Sequence, residues 1–308
     1  MTRRMTLQAL ALTTVALAGT AWGGSGPVPS SLGPSSALSP EVTWHPDRPR
    51  QGDLFLLRVT PAAGETLARV TGRAGGEALH FSRPAAGVFE SLAPVPVDQG
   101  DAMEAHLTFR RADGSEEVRT LEIPVIPGSF EHEDLTVAPE YGSPLSKEAR
   151  ARLARDQAKA RRVSREAGQT PRMWSPAMAL PRDDRVTSGF GNGRVFNGQV
   201  SSRHMGLDLD GEPGDTVVAA TRGVVALVDE FLLAGDIVYL NHGGGLLSGY
   251  FHLSAQLVAE GDTVGAGTPI GLVGATGRVT GPHLHWVVRY GSTSVDPRSL
   301  LLVAATPE

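Results

Sequence analysis

The stretch Pro282-His283-Leu284-His285-Trp286-Val287-Val288 lies near the C-terminal end of the 308-residue chain. Successive side chains of a β-strand point to opposite faces, so His283 and His285 would share one face of such a strand. Two imidazoles seldom share an apolar face for packing reasons alone, because a buried imidazole without a hydrogen bond is costly. We therefore expect this strand to present both histidines to a functional site.

Two further histidine contexts occur in the same region. His204 and Asp208 are four positions apart, so they project from one face of an extended segment. His252 ends another strand-like run, residues 249–254. Taken alone, each pattern is compatible with chance or with a structural histidine. Together they predict three metal ligands, an open fourth position and two spare bases, which is typical of a catalytic Zn²⁺ site.

The composition restricts this site and excludes other function classes. The chain has no cysteine and nine histidines, so thiolate ligands, cysteine nucleophiles and disulfides are excluded. A metal site must therefore use histidine and carboxylate, a donor set that suits Zn²⁺. The net charge of −5 does not indicate a nucleic-acid binder.

The N-terminal residues have the pattern of an export signal. Thr2-Arg3-Arg4 is followed by an apolar run over residues 7–21, so we predict a secretory signal peptide over residues 1–23. A retained N-terminal anchor is the alternative, although a run of about 15 residues is short of a bilayer span. No later apolar run is long enough to span a membrane. The mature chain is thus expected in the periplasm, the cell envelope or the extracellular space.

Hydrophobic patterning of the rest of the chain predicts a mainly β protein. Residues 24–40 are rich in Gly, Pro and Ser and read as a flexible linker. Short alternating runs over residues 41–130 predict an immunoglobulin-like β-sandwich. Residues 131–171 read as a linker with a helix over about residues 145–167, with Ser146 as its N-cap. Residues 172–308 are rich in β-strand and glycine patterns and contain the histidine site.

The segment from Val186 to Leu301 resembles the lysostaphin/LytM-type zinc endopeptidases of bacterial cell walls. The resemblance rests on a series of short motifs in the family's order and spacing. These motifs are Thr187-Ser188-Gly189-Phe190-Gly191, His204 through Asp208, Asp236 through Gly243, Tyr250-Phe251-His252-Leu253-Ser254, Gly274 through Trp286, and Val295-Asp296-Pro297.

The resemblance implies roles for five residues. His204, Asp208 and His285 match the family's zinc ligands, and His252 and His283 match its pair of catalytic histidines. It also implies a β-sheet-rich metallopeptidase domain and the hydrolysis of peptide bonds in peptidoglycan cross-links or stem peptides. Neither the bond that is cleaved, nor the histidine that acts as base, nor the oligomeric state follows from the sequence.

Some positions depart from the family pattern. Val287 stands where members commonly have a glutamate that is not a ligand, and the tyrosine that some members carry before the first ligand is missing. Oxyanion support from such a tyrosine is therefore not expected here. His242 is interpreted as a turn or supporting residue. The other four histidines have no ligand spacing and are interpreted as surface or loop residues: His45, His80, His106 and His132.

Three other functions are alternatives to the zinc endopeptidase. The family includes inactive envelope scaffolds that activate other wall hydrolases after losing zinc ligands, but all five expected residues are present here. The repeated Gly-Asp-Thr-Val at residues 214–217 and 261–264 resembles biotinyl and lipoyl carriers, but residues 172–308 lack the lysine that a carrier needs. A serine hydrolase would leave the histidines unused, and no Gly-x-Ser-x-Gly motif occurs.

Overall fold

A computed structural model of the chain describes residues 39–85, 87–176 and 178–304. The predicted signal peptide and nearly all of the predicted linker, residues 24–40, lie outside the described residues. Twenty strands and three helices occupy the described part, which confirms the prediction of a mainly β protein. In that part, no helix combines the length and the apolar character needed to cross a membrane.

The first seven strands form two antiparallel sheets, β1-β2-β5 and β4-β3-β6-β7. Their bounds are β1 (Glu41–His45), β2 (Leu54–Thr60), β3 (Leu67–Ala74), β4 (Glu77–Ala78), β5 (Phe89–Pro94), β6 (Ala102–Arg111) and β7 (Glu116–Pro124). Along β6, Met103, Ala105, Leu107 and Phe109 are buried at alternate positions, as expected for a half-buried strand. These side chains share one core with residues of β2 and β5, so the two sheets face each other. The immunoglobulin-like class of this sandwich stays a prediction.

A connector of one strand and two helices follows: β8 (His132–Leu135), α1 (Pro139–Gly142) and α2 (Lys147–Gln169). The Ser146 hydroxyl caps α2 by accepting a hydrogen bond from the Ala149 backbone N–H at 3.1 Å. Ala160, Val163 and Ala167 form the apolar side of α2 and pack against the sheet that follows. The helix therefore lies against the C-terminal sheet.

The C-terminal part is built on a ten-stranded sheet with the central order β17-β14-β15-β16-β19-β12-β9. Its elements and those beside it are β9 (Val186–Ser188), β10 (Gly193–Phe196), β11 (Val200–Arg203), β12 (Leu207–Leu209), β13 (Thr216–Val218), β14 (Gly223–Phe231), β15 (Gly235–Gly243), β16 (Leu246–Gln256), β17 (Thr263–Val264), β18 (Pro269–Val273), β19 (Leu284–Tyr290), β20 (Thr293–Val295) and α3 (Pro297–Ala304). The connector strand β8 pairs with β10 in a separate small sheet, β11-β10-β8.

The N-terminal sandwich and the C-terminal sheet share a hydrophobic core. Leu54, Leu56 and Leu92 of the sandwich belong to the same buried cluster as Trp286 and Leu300. The Tyr290 hydroxyl adds a polar contact, because it accepts a hydrogen bond from the His80 backbone N–H at 3.0 Å. The described residues from 39 onward accordingly form one compact unit. The boundaries predicted at residues 130 and 171 stay proposals, since packing continues across them.

Candidate metal and catalytic site

Two paired strands bring the candidate metal ligands together. Asp208 of β12 lies directly opposite His285 of β19 in antiparallel register. Residues opposite each other in a strand pair project to the same face, so both side chains enter the same space. His204 precedes β12 and turns its ring into that space. The two histidine motifs, which are far apart in the sequence, therefore lie next to each other in the folded protein.

Three ligand atoms converge within this neighbourhood. Nε2 of His204 lies 3.0 Å from Oδ1 of Asp208, and Nδ1 of His285 lies 2.6 Å from the same oxygen. The two ring nitrogens are 2.9 Å apart. His204, Asp208 and His285 also form a group of three residues whose ligand atoms could hold one metal ion. Two imidazole nitrogens and a carboxylate oxygen, leaving a fourth position open, fit a catalytic Zn²⁺ site.

Backbone carbonyls fix the tautomer of His204. Its Nδ1 lies 2.7 Å from the Gly189 carbonyl oxygen. A carbonyl oxygen can only accept, so Nδ1 carries the proton and donates it. The lone pair of the neutral ring is then on Nε2, which faces Asp208 and His285. Such a hydrogen bond behind a metal-binding histidine orients the ring and makes it a better ligand.

His252 and His283 are oriented in the same way, each by a hydrogen bond to a backbone carbonyl. Nδ1 of His252 donates to the Thr276 carbonyl oxygen at 2.7 Å, and Nδ1 of His283 donates to the Gly281 carbonyl oxygen at 2.9 Å. Each ring therefore keeps its lone pair on Nε2. The His252 and His283 ring centroids are 5.0 Å apart, and Nε2 of His283 is 3.6 Å from Oδ1 of Asp208. Two imidazole rings thus flank the candidate metal ligands.

His252 also has an unusual backbone. Its φ is 63°, in the left-handed region that side chains other than glycine seldom adopt. The hydrogen bond from its backbone N–H to the Ala234 carbonyl oxygen, at 2.9 Å, stabilises this conformation. Such conformations cost about 1–3 kcal/mol and cluster at functional sites. The unusual φ therefore agrees with a functional position for His252.

The protonation states of the cluster suit metal binding. Burial, and then the neighbouring His285 and His283, hold the pKa of His252 well below its usual range. Burial lowers the pKa of His285 to about 4. Burial alone would raise the pKa of Asp208, but the polar contacts with His204 and His285 outweigh it and hold that pKa well below the usual range. Neutral imidazoles and an ionised carboxylate are the forms that bind metal.

Arg194 and Glu133 support the site through the second carboxylate oxygen of Asp208. Nη2 of Arg194 donates to Oδ2 of Asp208 at 2.5 Å, and its Nε donates to Oε2 of Glu133 at 2.8 Å. The Ser188 hydroxyl donates to the other oxygen of Glu133 at 2.5 Å. Glu133 comes from the connector strand β8, which pairs with β10 so that Glu133 lies opposite Arg194. The connector therefore touches the candidate metal site.

No motif in the sequence predicts the role of Arg194 and Glu133. Ser188 belongs to the motif at residues 187–191, Arg194 lies outside the quoted motifs, and Glu133 lies within the predicted linker. The only local sign of a role for Glu133 is the short polar segment at residues 131–135, which precedes the predicted helix. Its pairing with β10 is a tertiary contact, so no local pattern reveals it.

The other histidines lie outside the cluster. His242 is fully buried in β15, where Nδ1 donates to the Arg222 carbonyl oxygen at 2.8 Å and Nε2 lies 2.7 Å from the Ser248 hydroxyl. Of the two interpretations of His242, the turn is wrong for this residue, because β15 continues to Gly243 and the turn follows at residues 244–245; the supporting role stays a prediction. His45, His106 and His132 are exposed, and His80 lies in a half-buried loop beside Tyr290.

Two clefts meet at the cluster. One, of about 210 Å³, includes His204, Met205 and His285 in its lining. The other, of about 420 Å³, includes Asp208 and His283. Four residues line both clefts: Arg194, Phe196, His252 and Arg278.

Another cleft adjoins the smaller one and shares part of its lining with it. A third, more apolar cleft of about 630 Å³ lies between α2 and the sheet and also reaches Met205 and His285. The candidate ligands and bases therefore lie where three clefts adjoin. A cavity of about 710 Å³ around His80 and Arg172 does not touch the cluster.

Comparisons with known proteins agree with this geometry. The family model described as "Peptidase family M23" matches residues 202–297, which include all five histidine and aspartate positions of the site. The chain is 37% identical over 123 residues to the peptidoglycan DD-endopeptidase ShyC of Vibrio cholerae, covering 39% of this chain and 28% of ShyC. It is 41% identical over 105 residues to the DD-carboxypeptidase/endopeptidase Mpg of Neisseria meningitidis, covering 34% of this chain and 24% of Mpg. The matched region thus spans about a quarter of these relatives.

A solved structure shares the fold over most of the chain. It is a Pseudomonas aeruginosa protein assigned to peptidase M23, with a TM-score of 0.63 and 24% identity. The superposition covers 83% of this chain and 96% of that one. The arrangement of the N-terminal strands, connector and C-terminal sheet is therefore that of a known fold.

Proposed function

We propose that the protein is a zinc metalloendopeptidase, because residues 202–297 match the model of peptidase family M23, the group that the sequence resembles. Its substrate is a peptide bond in the cross-links or stem peptides of peptidoglycan. The observation that carries this proposal is the convergence of His204 Nε2, Asp208 Oδ1 and His285 Nδ1 within hydrogen-bonding distance of one another. No other described group of His, Asp and Glu has this geometry.

His204, Asp208 and His285 would hold the zinc ion. Bound there, Zn²⁺ supplies Lewis acidity to the scissile carbonyl and lowers the pKa of the attacking water. His252 and His283 then supply the proton transfers and the hydrogen bond that the reaction needs. Both keep Nε2 unprotonated and facing the site, because both donate from Nδ1 to a backbone carbonyl.

These two histidines share the acid–base work. One Nε2 takes a proton from the attacking water, and the protonated ring later delivers it to the leaving amine. The other ring keeps its lone pair on Nε2, accepts a hydrogen bond from the attacking water and so orients it.

Peptidoglycan as the substrate is supported by the relatives and by the groove. ShyC is named a peptidoglycan DD-endopeptidase and Mpg a DD-carboxypeptidase/endopeptidase. The connected clefts around the cluster suit an extended peptide rather than a small metabolite. A substrate outside the cytoplasmic membrane also agrees with the predicted export signal. We therefore place the protein in the periplasm or elsewhere in the envelope.

The alternative of an inactive scaffold is less well supported. Such a protein needs none of these side chains, whereas here three ligand atoms and two bases occupy consistent positions. Hydrogen bonds to backbone carbonyls orient His204, His252 and His283. This degree of organisation supports an active enzyme.

Mass spectrometry of fragments released from purified peptidoglycan tests the proposal. The zinc-loaded protein is expected to release fragments with new peptide termini and intact sugar chains. The His285→Ala variant should release none, whereas His106→Ala, which changes an exposed histidine outside the site, should match the unchanged protein. Equal release by His285→Ala, or no release by the folded zinc-loaded protein, would overturn the proposed function.

A further inference from the structure

Arg278 lies in the loop between β18 and β19 and lines both clefts at the metal site. Its guanidinium carbon is 3.9 Å from the centroid of the Phe196 ring, so the planar group stacks on that ring. The backbone N–H of Arg278 donates to the Leu233 carbonyl oxygen at 2.9 Å, which fixes the loop. The side chain is thus held in place at the edge of the reaction centre.

The donors of Arg278 have no acceptor within the described part of the chain. Neither a hydrogen bond nor an ion pair from its guanidinium occurs there, and the stacking on Phe196 uses only the flat face. The two other arginines of the smaller cleft are engaged. Arg194 binds Asp208 and Glu133, and Arg203 donates to the Gly191 carbonyl oxygen and stacks on Phe130.

The electrostatic surroundings of Arg278 favour an anion. Burial, and then the neighbouring charge of Arg194, lower the pKa of Arg278 from its usual value. The guanidinium nevertheless stays charged at any physiological pH. A partly desolvated cation with free donors gains a strong, directional interaction when a carboxylate binds.

The two clefts differ in charge. The smaller cleft is lined by Arg194, Arg203 and Arg278 and has no Asp or Glu in its lining. The larger cleft includes Glu131, Glu133 and Asp134, in addition to Asp208. Arg194 and Arg278 line both clefts, but four carboxylates oppose their charge in the larger one, so a substrate carboxylate is attracted to the smaller cleft.

We propose that Arg278 binds a free carboxylate of the substrate beside the scissile bond, with the carboxylate in the smaller cleft. This inference rests on the proposed function and names the substrate class of the same site. When a diamino acid is cross-linked through the amine of its D-centre, the carboxyl group on that centre stays free, one carbon from the scissile nitrogen. The site would therefore prefer such an anionic cross-link to an uncharged glycine bridge.

Two matched cross-linked peptides test this proposal. Both contain a D-Ala bond to the D-centre of a diamino acid, and they differ only in that the carboxyl group of this centre is free in one and amidated in the other. The zinc-loaded full chain should cleave the free form with a kcat/KM about tenfold to a hundredfold higher, the effect of one hydrogen bond to a charged group. The difference should appear mainly in KM.

Variants assign the preference to Arg278. In Arg278→Gln the ratio of the two kcat/KM values should fall to about one, and Arg278→Lys, which keeps the charge but not the planar fork, should give an intermediate ratio. The control Arg185→Gln changes an exposed arginine that pairs with Asp210, so it should keep the full preference.

A binding measurement complements the kinetics. The free diamino acid should inhibit the unchanged protein more strongly than its amide, and Arg278→Gln should abolish this difference. Equal cleavage of both peptides by the unchanged protein, or a preference that survives in Arg278→Gln, would overturn the carboxylate site but not the proposed function. Cleavage of neither peptide by the folded zinc-loaded protein would contradict both.

Discussion

Oδ1 of Asp208 lies 2.6 Å from Nδ1 of His285 across the paired strands β12 and β19. This contact depends on strand register, because a slip by one residue would turn one of the two side chains to the opposite face of the sheet. The metal site is therefore a product of the sheet, and substitutions that move either strand should weaken metal binding.

Gly206 offers a direct test of this dependence. A Cβ atom at this position would lie 2.6 Å from Cε1 of His285 and 2.7 Å from the Trp286 carbonyl oxygen. We expect Gly206→Ala to displace His285 and to weaken zinc binding at least tenfold, as judged by competition with a chelator. The control is Gly265→Ala, where the nearest atom is 3.8 Å away. Equal zinc affinity in both variants would show that β12 and β19 adjust freely.

Arg194 should act through Asp208 rather than on the substrate. Arg194→Ala removes the hydrogen bond to Oδ2 of Asp208 and leaves Glu133 without its cation. Loss of such a supporting contact typically lowers metal affinity by about tenfold to a hundredfold. Arg185→Ala breaks an exposed ion pair with Asp210 and should leave zinc affinity unchanged. If Arg194→Ala bound zinc like the unchanged protein, Arg194 would have no positioning role.

Glu133→Gln tests whether the connector strand β8 supports the metal site through Arg194. The variant keeps the shape of the side chain but loses the charge that faces Arg194. Zinc affinity should fall in the same direction as in Arg194→Ala, and the double variant should lose less than the sum of the two, because the residues act through one network. Additive losses would mean that Glu133 and Arg194 act independently.

Part of the site could be predicted from the sequence alone. Two local patterns are sufficient: the alternation around His283 and His285, and the spacing of His204 and Asp208. In an extended strand, such spacings place the side chains on the same face. The helix prediction over about residues 145–167 compares with an observed Lys147–Gln169, since capping and helix-stopping residues are also local. The same logic misplaced His242, because a glycine-rich run resembles a turn even where its first residues continue a strand.

The rest of the site depends on tertiary contacts. Glu133 reaches Arg194 only because β8 pairs with β10, and no pattern within residues 131–171 specifies that partner. Arg278 acquires its position by stacking on Phe196, far away along the chain. Both residues are polar side chains in segments that read as loops, where sequence periodicity carries no information.

His242 should make stability depend on pH. Burial lowers its pKa to about 4, whereas the unfolded chain has the ordinary value of 6.5. Below pH 6.5 the unfolded chain therefore binds a proton that the folded chain does not, so the free energy of unfolding falls as pH falls towards 4. The full difference corresponds to about 3 kcal/mol.

Chemical unfolding with a chelator present measures this contribution between pH 7 and pH 4. The unchanged protein should lose about 3 kcal/mol more over this range than His242→Gln, which has no titrating group at that position. His106→Gln alters an exposed histidine and should retain the full loss. Parallel curves for the unchanged protein and His242→Gln would contradict the buried neutral state of His242.

Zinc titration of the metal-free protein tests the central claim most directly. The release of peptide fragments from purified peptidoglycan should rise with added zinc and level off at about one ion per chain, as expected for a single catalytic site. His285→Ala, folded to the same extent, should show neither tight zinc binding nor release at any zinc concentration. Peptide release by protein stripped of metal, or by His285→Ala at the rate of the unchanged protein, would contradict the account.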